Sequence, residues 1–133
     1  MSQYVVIKSF TDKYFSILQN GKLMCDKNDI KDSETFIVKY EGRYIIFKTK
    51  SGKYLSANIN GTIDTDKEKI GNNERFEIEW VNDNWFALKT NSGNYFSIQK
   101  DGKVEANQKN IGVNEKFSFI VQKVESLIEF LKF

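Results

Sequence analysis

A chain of 133 residues is long enough for one domain that buries roughly two-thirds of its unfolded surface. Its net charge of +2 is spread evenly, without the clustered basic surface by which nucleic acid is bound. No run approaches the ~18 apolar residues of a membrane span. The N-terminus has neither the charged nor the apolar region of a signal peptide, and the single cysteine, Cys25, excludes an intrachain disulfide. These features together predict a cytoplasmic protein.

Aromatic residues make up 14% of the chain, which favours strands. With no proline, every turn falls to Gly, Asn, Asp or Ser. The dominant signal is self-similarity at a period of about 40 residues. Lys8-Ser9-Phe10-Thr11-Asp12-Lys13-Tyr14-Phe15-Ser16-Ile17 returns as Lys48-Thr49-Lys50-Ser51-Gly52-Lys53-Tyr54-Leu55-Ser56-Ala57. It returns again as Lys89-Thr90-Asn91-Ser92-Gly93-Asn94-Tyr95-Phe96-Ser97-Ile98.

The repeats run over about 3–41, 42–81 and 82–122, forming one domain (1–122), with an apolar tail at 123–133. Each opens with a short β-branched and aromatic run at 4–7, 44–47 or 85–88, which reads as a strand. A turn holding Asp12, Gly52 or Gly93 follows, then a second strand from Tyr14, Tyr54 or Tyr95. Asn20-Gly21, Asn60-Gly61 and Asp101-Gly102 are hairpin signals of the type I′ kind. A third strand follows each, and then a longer loop carrying Ile30, Ile70 or Ile111.

The fourth strand of each repeat alternates. Phe76, Ile78 and Trp80 fall on one face with Glu77 and Glu79 on the other, and Phe36, Val38, Tyr40 and Phe117, Phe119, Val121 repeat the pattern. Such alternation puts one face on a core, so Trp80 is expected in one core layer with Tyr40 and Val121. Four strands in each of three repeats predict an all-β chain of twelve strands. A pseudo-threefold barrel capped by three hairpins, a β-trefoil, hides most strand edges. The first repeat departs from the others with Asp12 and Lys31 where they have Gly52/Gly93 and Gly71/Gly112. Asp visits left-handed backbone more readily than Lys, so the Lys31 loop is expected to differ in shape.

In the tail, Val124, Leu127, Ile128 and Leu131 have helical spacing. A short helix sealing the open end of the barrel and a dimerisation segment through Leu127, Ile128 and Leu131 are both compatible with it. A membrane anchor fits least, because the tail has no basic face.

Chemistry is sparse. Without histidine there is no usual triad, proton shuttle or common metal ligand, and no cofactor is expected. Glu34, Glu74 and Glu115 recur just before a core Phe and read as loop tethers that accept backbone N–H groups. Ser16, Ser56 and Ser97 lack a base and read as partners of backbone groups. Asp26, Asp29 and Asp32 read as a solvated loop rather than a cation site, so no metal is assigned. Cys25 reads as a buried strand residue. Trp80 and Trp85 flank the turn Val81-Asn82-Asp83-Asn84. An aromatic beside amide and carboxylate groups is the composition of a sugar-stacking site, against which stands a packing role for each Trp.

The segment from Phe47 through Lys48-Thr49-Lys50-Ser51-Gly52-Lys53-Tyr54-Leu55-Ser56, with Asn60-Gly61-Thr62-Ile63 and Asn73-Glu74-Arg75-Phe76, resembles the repeat of fascin-type β-trefoils over residues 3–122. Among single-domain members it is most similar to hisactophilin, although it has no histidines and has Ser2 where that protein's myristoylation signal has Gly. The resemblance implies a non-enzymatic binding module. One reading is a cytoskeletal adaptor that meets filamentous actin through Lys13, Arg43, Lys48, Lys50 and Lys53. The alternative is a lectin-like module that meets a glycan through Asp83, Asn84 and Trp85. A third is a scaffold that self-assembles through the tail as a homodimer.

Overall fold

The computed structural model describes residues 3–29 and 35–122. Its strands are β1 (Gln3–Ser9), β2 (Tyr14–Ile17), β3 (Leu23–Lys27), β4 (Thr35–Glu41), β5 (Tyr44–Lys48) and β6 (Tyr54–Ala57). They continue with β7 (Ile63–Lys67), β8 (Phe76–Trp80), β9 (Phe86–Lys89), β10 (Tyr95–Ile98), β11 (Val104–Gln108) and β12 (Phe117–Val121). All twelve expected strands are present among the described residues, with bounds that shift by one or two residues.

Six strands close a ring by antiparallel pairing. β1 pairs with β12 (Val5 opposite Val121) and with β4 (Val5 opposite Phe36). β4 pairs with β5 (Val38 opposite Phe47), β5 with β8 (Ile45 opposite Phe76), β8 with β9 (Ile78 opposite Leu88), and β9 with β12 (Phe86 opposite Phe117). The remaining strands form three hairpins, β2–β3, β6–β7 and β10–β11. This is a β-trefoil. Closure leaves no open edge in the ring.

The inward positions are filled by Phe15, Phe36, Phe47, Phe76, Phe86, Phe96 and Phe117, all fully buried. Hairpin rings meet barrel rings edge-on, Phe15 with Phe117 at 5.1 Å and Phe96 with Phe76 at 4.9 Å between centroids. Such pairings add about 0.5–1.5 kcal/mol each beyond the area buried.

The hairpins interlock around the pseudo-threefold axis. The Cys25 N–H donates to the Gly102 carbonyl and the Ala106 N–H to the Gly61 carbonyl, each at 2.7 Å, and the Thr65 hydroxyl donates to the Gly21 carbonyl, also at 2.7 Å. Each hairpin glycine thus presents its carbonyl to a neighbouring hairpin.

Three sequence expectations change. The Asn-Gly and Asp-Gly hairpins are not type I′, which needs positive φ at both central residues. Only the glycines turn left-handed (Gly21 φ 86°, Gly61 φ 93°, Gly102 φ 88°), and Asp12 is the single non-glycine residue to do so among the described residues. Asn20, Asn60 and Asp101 instead accept the N–H two residues ahead with their side-chain oxygens, at 2.9–3.1 Å. Gly71 and Gly112 have φ of −125° and −111°, so left-handed geometry is not why they are glycine. A Cβ there would stand 3.3 Å and 3.0 Å from the carboxylates of Glu74 and Glu115. Lys31 itself lies outside the described residues.

The third correction concerns Trp80, which is 60% exposed, with Tyr40 at 50% and Val121 at 54%. They do share the face of Phe76, Phe36 and Phe117, but lie four residues further along each strand, past the last fully buried ring. Trp80 meets the core at Phe86, at 5.3 Å between centroids.

Candidate functional site

The recurring carboxylates are tethers, as expected for the two that are described. Gly71 donates its N–H to Glu74 Oε1 at 2.6 Å, and Gly112 to Glu115 Oε1 at 2.7 Å. The serines differ from expectation. Ser56 and Ser97 donate to Glu74 Oε2 and Glu115 Oε2, each at 2.5 Å, rather than to backbone. A buried carboxylate needs donors, and a hydroxyl one strand away is the nearest. Glu34 lies outside the described residues.

Cys25 is buried, and burial pushes its thiol up to about 12. Asp26 and Asp29 are exposed. Among the described residues no group of three His, Cys, Asp or Glu gathers as a metal site would require.

Of the five cations singled out from the sequence, Lys13, Arg43, Lys50 and Lys53 stand on three different turns and Lys48 ends β5. Lys13, in the β1–β2 turn, donates to Asn28 at 2.5 Å, and Lys53, in the β5–β6 turn, pairs with Glu68 at 2.5 Å. The Lys53 hydrogen bond holds the Glu68 carboxyl below its usual value. Lys48 lies over the Tyr54 ring at 6.0 Å, and Lys50 is exposed at the tip of the same turn. Arg43, between β4 and β5, donates to the Tyr44 hydroxyl at 2.9 Å and pairs with Glu77 at 3.7 Å.

The glycan candidates Asp83, Asn84 and Trp85 sit on the β8–β9 hairpin. Asn82 accepts the N–H groups of Asn84 and Trp85 at 2.8 and 3.0 Å, which fixes the turn and leaves Asp83 and Asn84 exposed. Trp85 is half-buried against Phe10, 4.9 Å between centroids, with Lys116 over the far ring at 5.3 Å. Residues Leu127, Ile128 and Leu131 lie outside the described residues.

Sequence reasoning missed a recess of about 650 Å³ beside the third hairpin, lined by Ser97, Gln99, Lys100, Gln108, Asn114 and Glu115 among others. Two of its lining amides, Gln99 and Gln108, are tied together through Asn107. Gln99 and Asn107 exchange hydrogen bonds at 3.2–3.3 Å, and Gln108 donates to Asn107 at 3.2 Å. In the second repeat the amide equivalent to Gln99 is Asn58, and it is taken up by Thr62 and Asp64. Gln, Asn and Lys scattered over a polar loop carry no periodic signal, so only the fold brings them together.

The comparisons agree with this architecture. The pattern of the Fascin domain matches residues 1–78 and 26–119. The chain belongs to the fascin domain family. That match does not extend to the finer likeness to hisactophilin. No curated protein sequence matches significantly.

Among solved structures, a designed threefold-symmetric protein, ThreeFoil, is similar at 13% identity and a TM-score of 0.78, over 88% of this chain and 97% of that one. An endo-β-galactosidase from Clostridium perfringens that releases GlcNAcα1-4Gal is similar at 17% identity and a TM-score of 0.79, over 91% of this chain and 33% of that one. A Polyporus squamosus lectin bound to a sialylated epitope is similar at 13% identity and a TM-score of 0.73, over 88% of this chain and 48% of that one. This family member therefore spans about a third of the galactosidase and half of the lectin. At such identities the likeness concerns the fold. No helix among the described residues is long and apolar enough to cross a membrane.

Proposed function

We propose that this fascin-domain protein is a non-enzymatic, glycan-binding module. The observation that carries the reading is the amide-lined recess of the third repeat. Sugar hydroxyls are both donors and acceptors, and side-chain amides offer both at once. A volume of about 650 Å³ falls within the range of ligand sites. The network among Gln99, Asn107 and Gln108 holds the amides in place before binding, which lowers the entropic cost of association. The exposed Trp80, with Asp83 and Asn84 on its hairpin, offers a second apolar and polar surface of the same character.

The adaptor reading has its own support in the family membership, which by resemblance implies actin association in a cytoplasmic setting, with Lys13, Arg43, Lys48, Lys50 and Lys53 meeting the filament. It asks for charge-driven contact, yet Lys13, Lys53 and Arg43 are engaged within the chain. A glycan array repeated at low and high salt tests both, with filament co-sedimentation beside it. Glycan binding that survives salt and is lost in Gln108→Ala and Asn114→Ala supports the recess. An empty array, with salt-sensitive pelleting on filaments, refutes it in favour of the adaptor. Dimerisation through Leu127, Ile128 and Leu131 is tested in parallel by sedimentation of a form ending at Gln122.

A further inference from the structure

A cleft of about 360 Å³ lies on the side of the barrel, where β5, β8 and β9 meet the β9–β10 turn, with Arg43, Arg75 and Lys89 among its lining. One lining carboxylate, Glu77, stands among these cations. Arg75 is held by its Nε, 3.1 Å from Glu41 Oε1 outside the cleft. Its terminal nitrogens make no hydrogen bond among the described residues. The Lys89 ammonium is 6.0 Å from the Tyr95 ring centroid and has no ion pair among the described residues. The pairing of Arg43 with Glu77, at 3.7 Å and largely exposed, is weak.

The pseudo-threefold relation shows that this cleft is special. Stepping one repeat forward replaces Arg43, Arg75 and Lys89 by Asn84, Lys116 and Lys8, and Asn91 by Phe10. Phe10 then packs on Trp85 beneath Lys116, so that copy has an aromatic filling. Stepping one repeat back gives Gln3, Thr35 and Lys48. Two guanidinium groups meet at one cleft only between the second and third repeats.

We propose that this cleft binds a tetrahedral oxyanion, a sulfate or phosphate ester on a small soluble molecule. A guanidinium presents its donors as a planar fork that matches oxyanions. Two forks and an ammonium offer more donors than the two oxygens of a carboxylate accept, and they suit the three free oxygens of an ester. Glu77 opposes the anion and sets the affinity lower than the cations alone would. The site is distinct from the amide recess and does not depend on it.

The test is calorimetric titration at low salt with glucosamine 6-sulfate, glucose 6-phosphate and unsubstituted glucosamine. Vesicles of phosphatidylcholine containing phosphatidic acid form a further arm. Both esters are expected to bind at the cleft, and any binding of the unsubstituted sugar to be lost in Gln108→Ala but not in Arg43→Gln. Arg43→Gln and Arg75→Gln should each weaken binding roughly tenfold, as loss of a charge-assisted pair does. Glu77→Gln should strengthen it, and Lys67→Gln, at the hairpin end, should leave it unchanged. If Arg75→Gln proves unfolded by circular dichroism, the exposed Arg43 carries the comparison alone. Equal losses in Lys67→Gln and Arg43→Gln, or no gain in Glu77→Gln, would overturn the site in favour of diffuse attraction. Binding to vesicles without binding to either ester would overturn it in favour of a membrane surface. Gln108→Ala and Asn114→Ala should leave ester binding intact, so the two sites can fail separately.

Discussion

Replacing Glu115 by alanine removes a carboxylate that is 7% exposed and holds two donors. The Ser97 hydroxyl, at 2.5 Å, is itself buried, whereas the Gly112 N–H, at 2.7 Å, belongs to an exposed residue. Hydrogen bonds to charged groups contribute about 1.5–3 kcal/mol each. The Gly112 N–H regains water, so its share lies at the low end, while the Ser97 hydroxyl is left without its partner. Relief of the carboxylate's own desolvation offsets part of the sum, and Glu115→Ala should cost about 3 kcal/mol. Glu115→Gln should cost only about 1 kcal/mol, because the amide oxygen still accepts from Gly112 and its NH₂ donates to a rotated Ser97 hydroxyl. Ser97→Ala should cost about 2 kcal/mol by leaving one buried oxygen short of a donor. The double variant Ser97→Ala/Glu115→Ala should fall short of additivity by about 2 kcal/mol. Urea unfolding at neutral pH measures all four. A loss of under about 0.5 kcal/mol in Glu115→Ala, or strict additivity, would refute the tether.

Gly61→Ala and Gly93→Ala share the strain of left-handed backbone, about 1–2 kcal/mol. At Gly61 the new Cβ would also stand 3.2 Å from the Ala106 carbonyl, whereas at Gly93 it meets open space. Gly61→Ala should therefore be the more destabilising in urea, and equal losses would refute the hairpin interlock. Cys25, with its thiol at about 12, should react with a thiol reagent at mild alkaline pH roughly a thousandfold more slowly in the folded than in the unfolded chain. Because its folded value is raised, its contribution to stability is complete below the ordinary value of 9.0 and is lost as pH rises towards about 12. Cys25→Ala should flatten that alkaline limb, followed by unfolding against pH. Lys53→Gln should return the depressed Glu68 carboxyl to its ordinary range by NMR titration. Any stability from this pair is present above that range and lost as pH falls through the folded value of Glu68.

The architecture was legible because it is written three times. Period-two alternation, short apolar runs and glycine-bearing turns recur at matched positions, and no competing fold explains a threefold pattern. Local chemistry was legible less often. Asn-Gly predicts a turn correctly but not its type, because Asn20 and Asn60 act through side-chain oxygens rather than through backbone φ. Gly71 and Gly112 look like the other glycines in sequence, and only the proximity of a carboxylate reveals their different reason. Trp80 obeys the alternation of β8 and is still exposed, since alternation tells which way a side chain points and not where the barrel ends. The recess and the lateral cleft were beyond reach, because each joins residues from separated segments. Arg43, Arg75 and Lys89 meet through strand pairings, Tyr44 opposite Glu77 and Glu77 opposite Lys89, that the sequence does not show.

The pairing of β1 with β12, Val5 opposite Val121, has a consequence for how the molecule forms in time. Within the ring the first strand pairs with β4, which follows soon in the chain, and with β12, which is synthesised after the other strands of the ring. Until Phe117–Val121 has emerged, one flank of β1 and the matching flank of β9 stay unpaired, and unpaired flanks recruit other chains. Contacts this distant along the chain place folding among the slow classes, milliseconds to seconds. A nascent chain arrested before Phe117 should accordingly depend on chaperones in a way that the completed ring does not.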